Sequence, residues 1–401
     1  MSGKDIQSNK YSELRSTHKD YIDSYIALYR LKTEKEEELN SIYKMIRSAL
    51  IDSKKHLPKN IIRDILNIIQ YNNRYAKSYL YLAKRISDDY NVKQVSSIPP
   101  ISNFLFYNEY GITLDKSENV ENINKRDLDI YSEKTIYKAI MDNDKERFIQ
   151  FIESGNHYKD QRLNNILYPE TYKGYSLLEL CCYHGSVDCF KLLRTNFKSE
   201  ITQTCLEFSF LGRNQEIMSE CLKYQKPDKK CMEYAIISHN IDFVTFLMNE
   251  HNFEIDLYSC GIHKNLESFL VYFDQTNDFN KCFVYSAIFG IASLCEYFLL
   301  HGAKINYKDD YGLTALHYAA KHNNKETMEL LISRRAKINE TDKDKKPLFI
   351  MQQNLIAKKQ QNFLFHMVQK SMKKIDMVKP LFIMQQNIIA KKQQNFLFHM
   401  V

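Results

Sequence analysis

The chain has 401 residues, 44% of them hydrophobic and 26% charged, a globular composition over a length that accommodates two domains. A formal charge of +7 suggests affinity for polyanions, but residues 344–401 hold ten Lys against Asp344 and Asp376, which leaves residues 1–343 close to neutral and removes the main support for nucleic-acid binding. The polar opening Met1–Lys10 has no apolar signal-peptide core behind it, and no run reaches the 18 or more apolar residues of a membrane span, so a soluble, cytoplasmic protein is expected.

Residues 1–95 are expected to form a small helical bundle. Asp20–Leu31 carries Ile22, Tyr25, Ile26 and Tyr29 at helical spacing. Leu39, Ile42, Tyr43, Ile46 and Leu50 line one face of a second helix, whose acidic start Glu34–Glu38 suits the helix dipole. Pro58 fits the first turn of a third, before Ile61, Ile62, Ile65, Leu66 and Ile69. Tyr75–Ile86 supplies a fourth. The bundle is expected to cap the N-terminal end of the remaining chain. Pro99-Pro100 stops it, and residues 96–130 form a linker with the aromatic cluster Phe104–Tyr110, either folding back on the bundle or serving as an interaction motif.

From residue 131 to 343 the chain reads as a series of short helix pairs, each an apolar helix, a polar break and a second apolar helix. Candidate units are Thr135–Gly155, Tyr175–Leu193, Thr204–Leu222, Met232–Leu247, Leu257–Tyr272 and Lys281–Asn306, broken at sequences such as Tyr183-His184-Gly185, Leu211-Gly212-Arg213-Asn214 and His239-Asn240. The middle units are more closely spaced than the last ones, so their connecting fingers are expected to be trimmed. All nine cysteines lie between Cys181 and Cys295, at or beside apolar helix positions and without a C-x-x-C pair, as expected of reduced, packed thiols.

The clearest unit is Tyr307–Asn339. Ala303-Lys304-Ile305-Asn306 before it returns at its end as Ala336-Lys337-Ile338-Asn339. Asp309-Asp310-Tyr311-Gly312 is turn chemistry, with Gly312 free to take positive φ. Thr314 is placed as a helix cap, small Ala315, Ala319 and Ala320 allow close packing, and Met328, Leu331 and Ile332 form the stripe of the second helix. Thr314, Leu316, His317 and Ala319 spell T-x-L-H-x-A at a 33-residue period, which resembles the ankyrin repeat. With a helical N-terminal region and degenerate middle units, the chain resembles the ankyrin proteins carrying the DUF3447-type domain.

That resemblance implies an all-α ankyrin-repeat solenoid of helix-turn-helix units with short β-turn fingers, degenerate before 280 and clear over 281–339. It implies binding to other proteins through the fingers and first helices, and a structural, hydrogen-bonding role for His317. By repeat position the binding candidates are Lys308, Asp309, Asp310, Tyr311, Tyr318, Lys321 and His322. No catalytic residue, metal or cofactor is expected: P-loop, dinucleotide, nucleophile-elbow and zinc-protease motifs are missing from the sequence. A non-enzymatic scaffold is the leading expectation. An adaptor recruiting a machine such as a ubiquitin ligase, or the truncated product of a decaying gene, are the alternatives.

Residues 344–401 form an aberrant tail. Pro347–Val368 recurs as Pro380–Val401 at the same period, with only Leu355 and Ile388 differing. In its own frame the segment fits neither helix of the repeat. Read one nucleotide register away, Met367-Val368 must encode Gly, Met351-Gln352 Ala and Met372-Lys373 Glu, and Lys379–Val401 permits TALHYAAKHNSKETAELLISHG. A frameshift between about Asp342 and Pro347 is therefore expected, in the gene or in its sequencing, with further ankyrin repeats beyond it.

Overall fold

The computed structural model describes residues 4–53, 56–117, 123, 125–154, 161–169, 174–338, 340, 341 and 343; the tail lies outside them. The chain divides into two compact units, Met1–Asp278 and Phe279 onward.

Six helices open the first unit: α1 Lys4–Thr17, α2 Lys19–Tyr29, α3 Glu36–Ile46, α4 Pro58–Ile68, α5 Ala76–Asp89 and α6 Pro100–Tyr110. Glu36, Glu37 and Glu38 fill the first turn of α3, and Pro58 opens α4. The aromatic cluster forms α6 and packs on α4 and α5, with Phe104, Leu105 and Phe106 buried. Helix α1 has no strong apolar stripe of its own. It is placed by tertiary contact, with Leu14 buried and Arg15 paired to Glu267 at 2.7 Å.

Five helix pairs come next: α7 Ile136–Asp142 with α8 Lys145–Glu153, α9 Leu177–His184 with α10 Val187–Asn196, α11 Gln203–Gly212 with α12 Gln215–Cys221, α13 Lys229–Ile237 with α14 Ile241–His251, and α15 Leu257–Ile262 with α16 Leu266–Thr276. A two-residue antiparallel pairing, β1 Arg162–Leu163 with β2 Tyr175–Ser176, precedes α9. The second unit contributes α17 Phe279–Ser286, α18 Ala292–Leu300, α19 Ala315–Lys321 and α20 Lys325–Ser333.

One backbone device repeats throughout. Asn143, Gly185, Arg213, His239, Lys264, Gly290 and Asn323 all have positive φ at the break between paired helices. From Gly185 to Gly290 this position recurs at shorter intervals than the step from Gly290 to Asn323. The middle units are thus trimmed, as their spacing suggests, and the long connector survives between α18 and α19. First helices are capped by Thr135, Ser176, Thr202, Asp228 and Asp256, whose side chains accept backbone N–H groups left open at each helix start.

Stacking within the first unit runs through aromatic rings on the first helices. Phe208 lies 5.4 Å from Tyr183 and 5.6 Å from Tyr234, centroid to centroid. Asparagines before two of the second helices tie their units to the preceding one: Asn214 Nδ2 donates to Gly185 O, and Asn265 Nδ2 to Ile236 O at 2.8 Å. The same tie joins Asn324 Nδ2 to Ala287 O at 2.7 Å in the second unit. All nine cysteines are buried.

The bundle is not an end cap. Its loops run along the helix breaks of successive repeats. Asn73 N–H donates to Tyr183 Oη at 3.3 Å, and that hydroxyl donates to Gln70 O at 2.8 Å. Arg213 Nη1 donates to Tyr29 O at 3.0 Å, Tyr29 stacks on His239 at 4.2 Å, and Tyr71 meets His263 edge-on at 5.4 Å. Four consecutive breaks each give one anchor to the bundle.

Candidate functional site

The connector between α18 and α19 is a finger built on one carboxylate. Asp309 N–H donates to Leu313 O at 2.9 Å, and Gly312 N–H returns to Asp309 O at 2.9 Å. Asp309 Oδ1 accepts from the Tyr311 and Leu313 N–H groups at 2.9 and 2.8 Å, and Oδ2 accepts the Tyr318 hydroxyl at 2.6 Å. Gly312 takes φ +78°, which closes the turn. With every strong acceptor of Asp309 turned inward, the finger is stiff.

This geometry sorts the expected binding residues. Tyr318 is 2% exposed, sits 5.3 Å from the Tyr285 ring, and has its hydroxyl pushed far up by burial and then by Asp309. It is a core residue, and the expectation of a surface anchor there is corrected. Asp309 is likewise a structural keystone. Lys308 Nζ is 2.8 Å from Glu340 Oε2 and donates to Thr341 O at 2.9 Å, which ties the finger to the segment after α20. That pairing, foremost the hydrogen bond from Lys308, holds the Glu340 carboxyl below its usual range. Lys321 and His322 are half-buried at the far end of α19. Asp310 is exposed and Tyr311 is 66% exposed at the tip.

His317 has the structural role its position implies. Thr314 N–H donates to Nδ1 at 3.2 Å, so the proton belongs on Nε2, which faces Glu340 O at 3.2 Å. Sequence reasoning did not find the Asp309–Tyr318 bond or the asparagine ties. Asn at most of the helix breaks (Asn143, Asn214, Asn240, Asn265 and Asn324) was the available signal. Among the described residues, no group of three or more His, Cys, Asp or Glu is placed to hold a metal, and no helix is long and apolar enough to cross a membrane.

Helix pairs with a repeated left-handed break, capped first helices and a projecting finger define a helical-repeat protein. Residues 197–272 match the domain of unknown function DUF3447, and residues 261–342 and 283–394 match the model for ankyrin repeats in three copies. The chain thus carries ankyrin repeats and a DUF3447 domain. No curated protein matches it. Among solved structures, the human ASB11 ankyrin repeat domain aligns at 14% identity over 58% of this chain and 97% of that one, with a TM-score of 0.29. Ankyrin repeats indicate a role in protein–protein interaction.

Proposed function

We propose that this protein is a non-enzymatic cytosolic scaffold that holds another protein against the finger preceding α19. The observation that carries this reading is Tyr311: a large amphipathic ring, 66% exposed, on a turn whose backbone Asp309 has already fixed. Such a group gives contact area with little further ordering on binding. Asp310 beside it adds a charge that favours a partner with a basic patch. The nine buried thiols suit a reducing compartment.

Tyr311→Ala is expected to weaken partner binding by about 2 kcal/mol, roughly thirtyfold. Quantitative pull-down from native lysate would compare it with Tyr224→Ala, which removes another exposed ring (55%) far back in the chain. Proteins lost with the first variant and kept with the second would be the partners. Equal retention by both would remove Tyr311 as the anchor. The tail is proposed to be two further ankyrin units in a displaced frame. A chain with that frame restored should melt several degrees higher, since each added neighbour buries apolar surface; an unchanged melting curve would argue for a genuine helical tail.

A further inference from the structure

Where the bundle meets the repeats, four cations converge. The bond from Arg213 Nη1 to Tyr29 O sets that guanidinium beside Arg30. One residue on, Leu31 O accepts from Asn72 Nδ2 at 2.9 Å, which draws the Asn73–Tyr75 turn, and with it Arg74, against the backbone carrying Lys32. Asn73 is held from the repeat side by Tyr183 and by its own Nδ2 donating to Leu167 O at 3.0 Å. Arg30 and Lys32 are exposed, while Arg74 and Arg213 are half-buried.

This cluster lacks a counter-charge. Among the described residues, none of Arg30, Lys32, Arg74 and Arg213 forms an ion pair. Arg74 Nε and Nη2 and Arg213 Nε are shielded from solvent and have no hydrogen-bond acceptor among those residues. The charges also feel one another: burial lowers the Lys32 ammonium first, followed by Arg213, Arg30 and Arg74. Buried guanidinium N–H groups without an acceptor are unfavourable, and like charges gathered in a shielded place raise the cost further. A bound oxyanion removes both penalties at once, and the planar fork of Arg matches phosphate oxygens.

We propose that this seam binds a small phosphate anion of the pyrophosphate class, with the shielded N–H groups of Arg74 and Arg213 donating to it and the exposed Arg30 and Lys32 pairing with its charge. The ligand joins bundle and repeats, so it stabilises their docked arrangement. The test uses the full chain with sodium pyrophosphate, orthophosphate and ATP, against sodium chloride at equal ionic strength. Thermal melting and titration calorimetry are the readouts. Pyrophosphate should raise the melting temperature saturably, and more than orthophosphate does. Lys32→Ala and Arg30→Ala, both at exposed positions, should weaken its binding at least tenfold, and Arg74→Met should weaken it further. ATP binding no tighter than pyrophosphate would confine recognition to the phosphates; tighter binding would add the nucleoside to the same site. An identical shift with chloride, or pyrophosphate affinity unchanged in both exposed-residue variants, would overturn the assignment. Should Arg74→Met fail to fold, the Lys32 and Arg30 variants decide the matter.

Discussion

Gly212→Ala should destabilise the first unit by about 3 kcal/mol or more, a large part of the stability of an ordinary domain. Gly212 ends α11, where alanine would normally favour a helix. Here a methyl group would overlap the Cys182 carbonyl oxygen and lie 2.9 Å from Gly185 N and 3.0 Å from Tyr183 O. All three are backbone atoms of the preceding unit, so no rotamer change relieves the clash. Gly185 faces it from the other side, at φ +67°, where an added Cβ would meet Gly212 O at 2.6 Å. Two helix breaks cross there at a distance that only glycine permits, and widening it separates α9 from α11. Urea denaturation is the direct measurement. Gly111→Ala is the matched control, because Gly111 also has positive φ (+67°) but nothing lies within 4 Å of its added Cβ; it should cost only about 1 kcal/mol of backbone strain. A Gly212→Ala midpoint close to that of the control would mean that the units separate more easily than this packing requires.

Mild acid should loosen the contact between bundle and repeats. Burial is the largest cause holding the His239 and His263 imidazoles neutral, with pKa values lowered to about 3 in each case. Around His239 stand the Tyr29 ring, Arg213, Arg30 and the His263 carbonyl, which lies 2.8 Å from Nε2. His263 faces Tyr71, Tyr29, Lys264 and Lys230. Neutral imidazoles fit these surroundings, and the cations oppose protonation. In the unfolded chain each His takes up its proton near pH 6.5, so below that value the unfolded state binds more protons and stability falls as pH falls. Between pH 7.5 and 5.5 each imidazole should remove about 1.4 kcal/mol, or roughly 3 kcal/mol for the pair. His184, also held neutral by burial, acts in the same direction. This window lies above the ordinary carboxylate range, which separates the effect from acid unfolding in general. Chemical denaturation at the two pH values, on the native chain and on His239→Gln/His263→Gln, would resolve it. The variant should show a clearly flatter dependence; parallel pH profiles would assign the loss to other groups.

The periodic features of this chain arise from local physics, and its sequence alone determined them. Apolar residues at helical spacing predict α2 to α5, capping and break residues predict the helix pairs, and the return of Ala303–Asn306 as Ala336–Asn339, with Thr314 and His317 between them, identifies the repeat. Each of these patterns is complete within a few turns of chain. Tertiary structure decided the rest. Helix α1 gains its place through the bond from Arg15 to Glu267, far along the chain, and has too weak a stripe to announce its face. Tyr318 and Tyr311 are the same residue type within one repeat; only the Asp309 carboxylate, accepting from one and fixing the backbone of the other, makes the first core and the second surface. Arg213, His239 and Lys264 look like ordinary solvent-facing loop residues until the bundle is laid along them. A helix break encodes the direction of its own chain through backbone torsions, whereas the cover over that break depends on residues far away in sequence, whose approach no local period records.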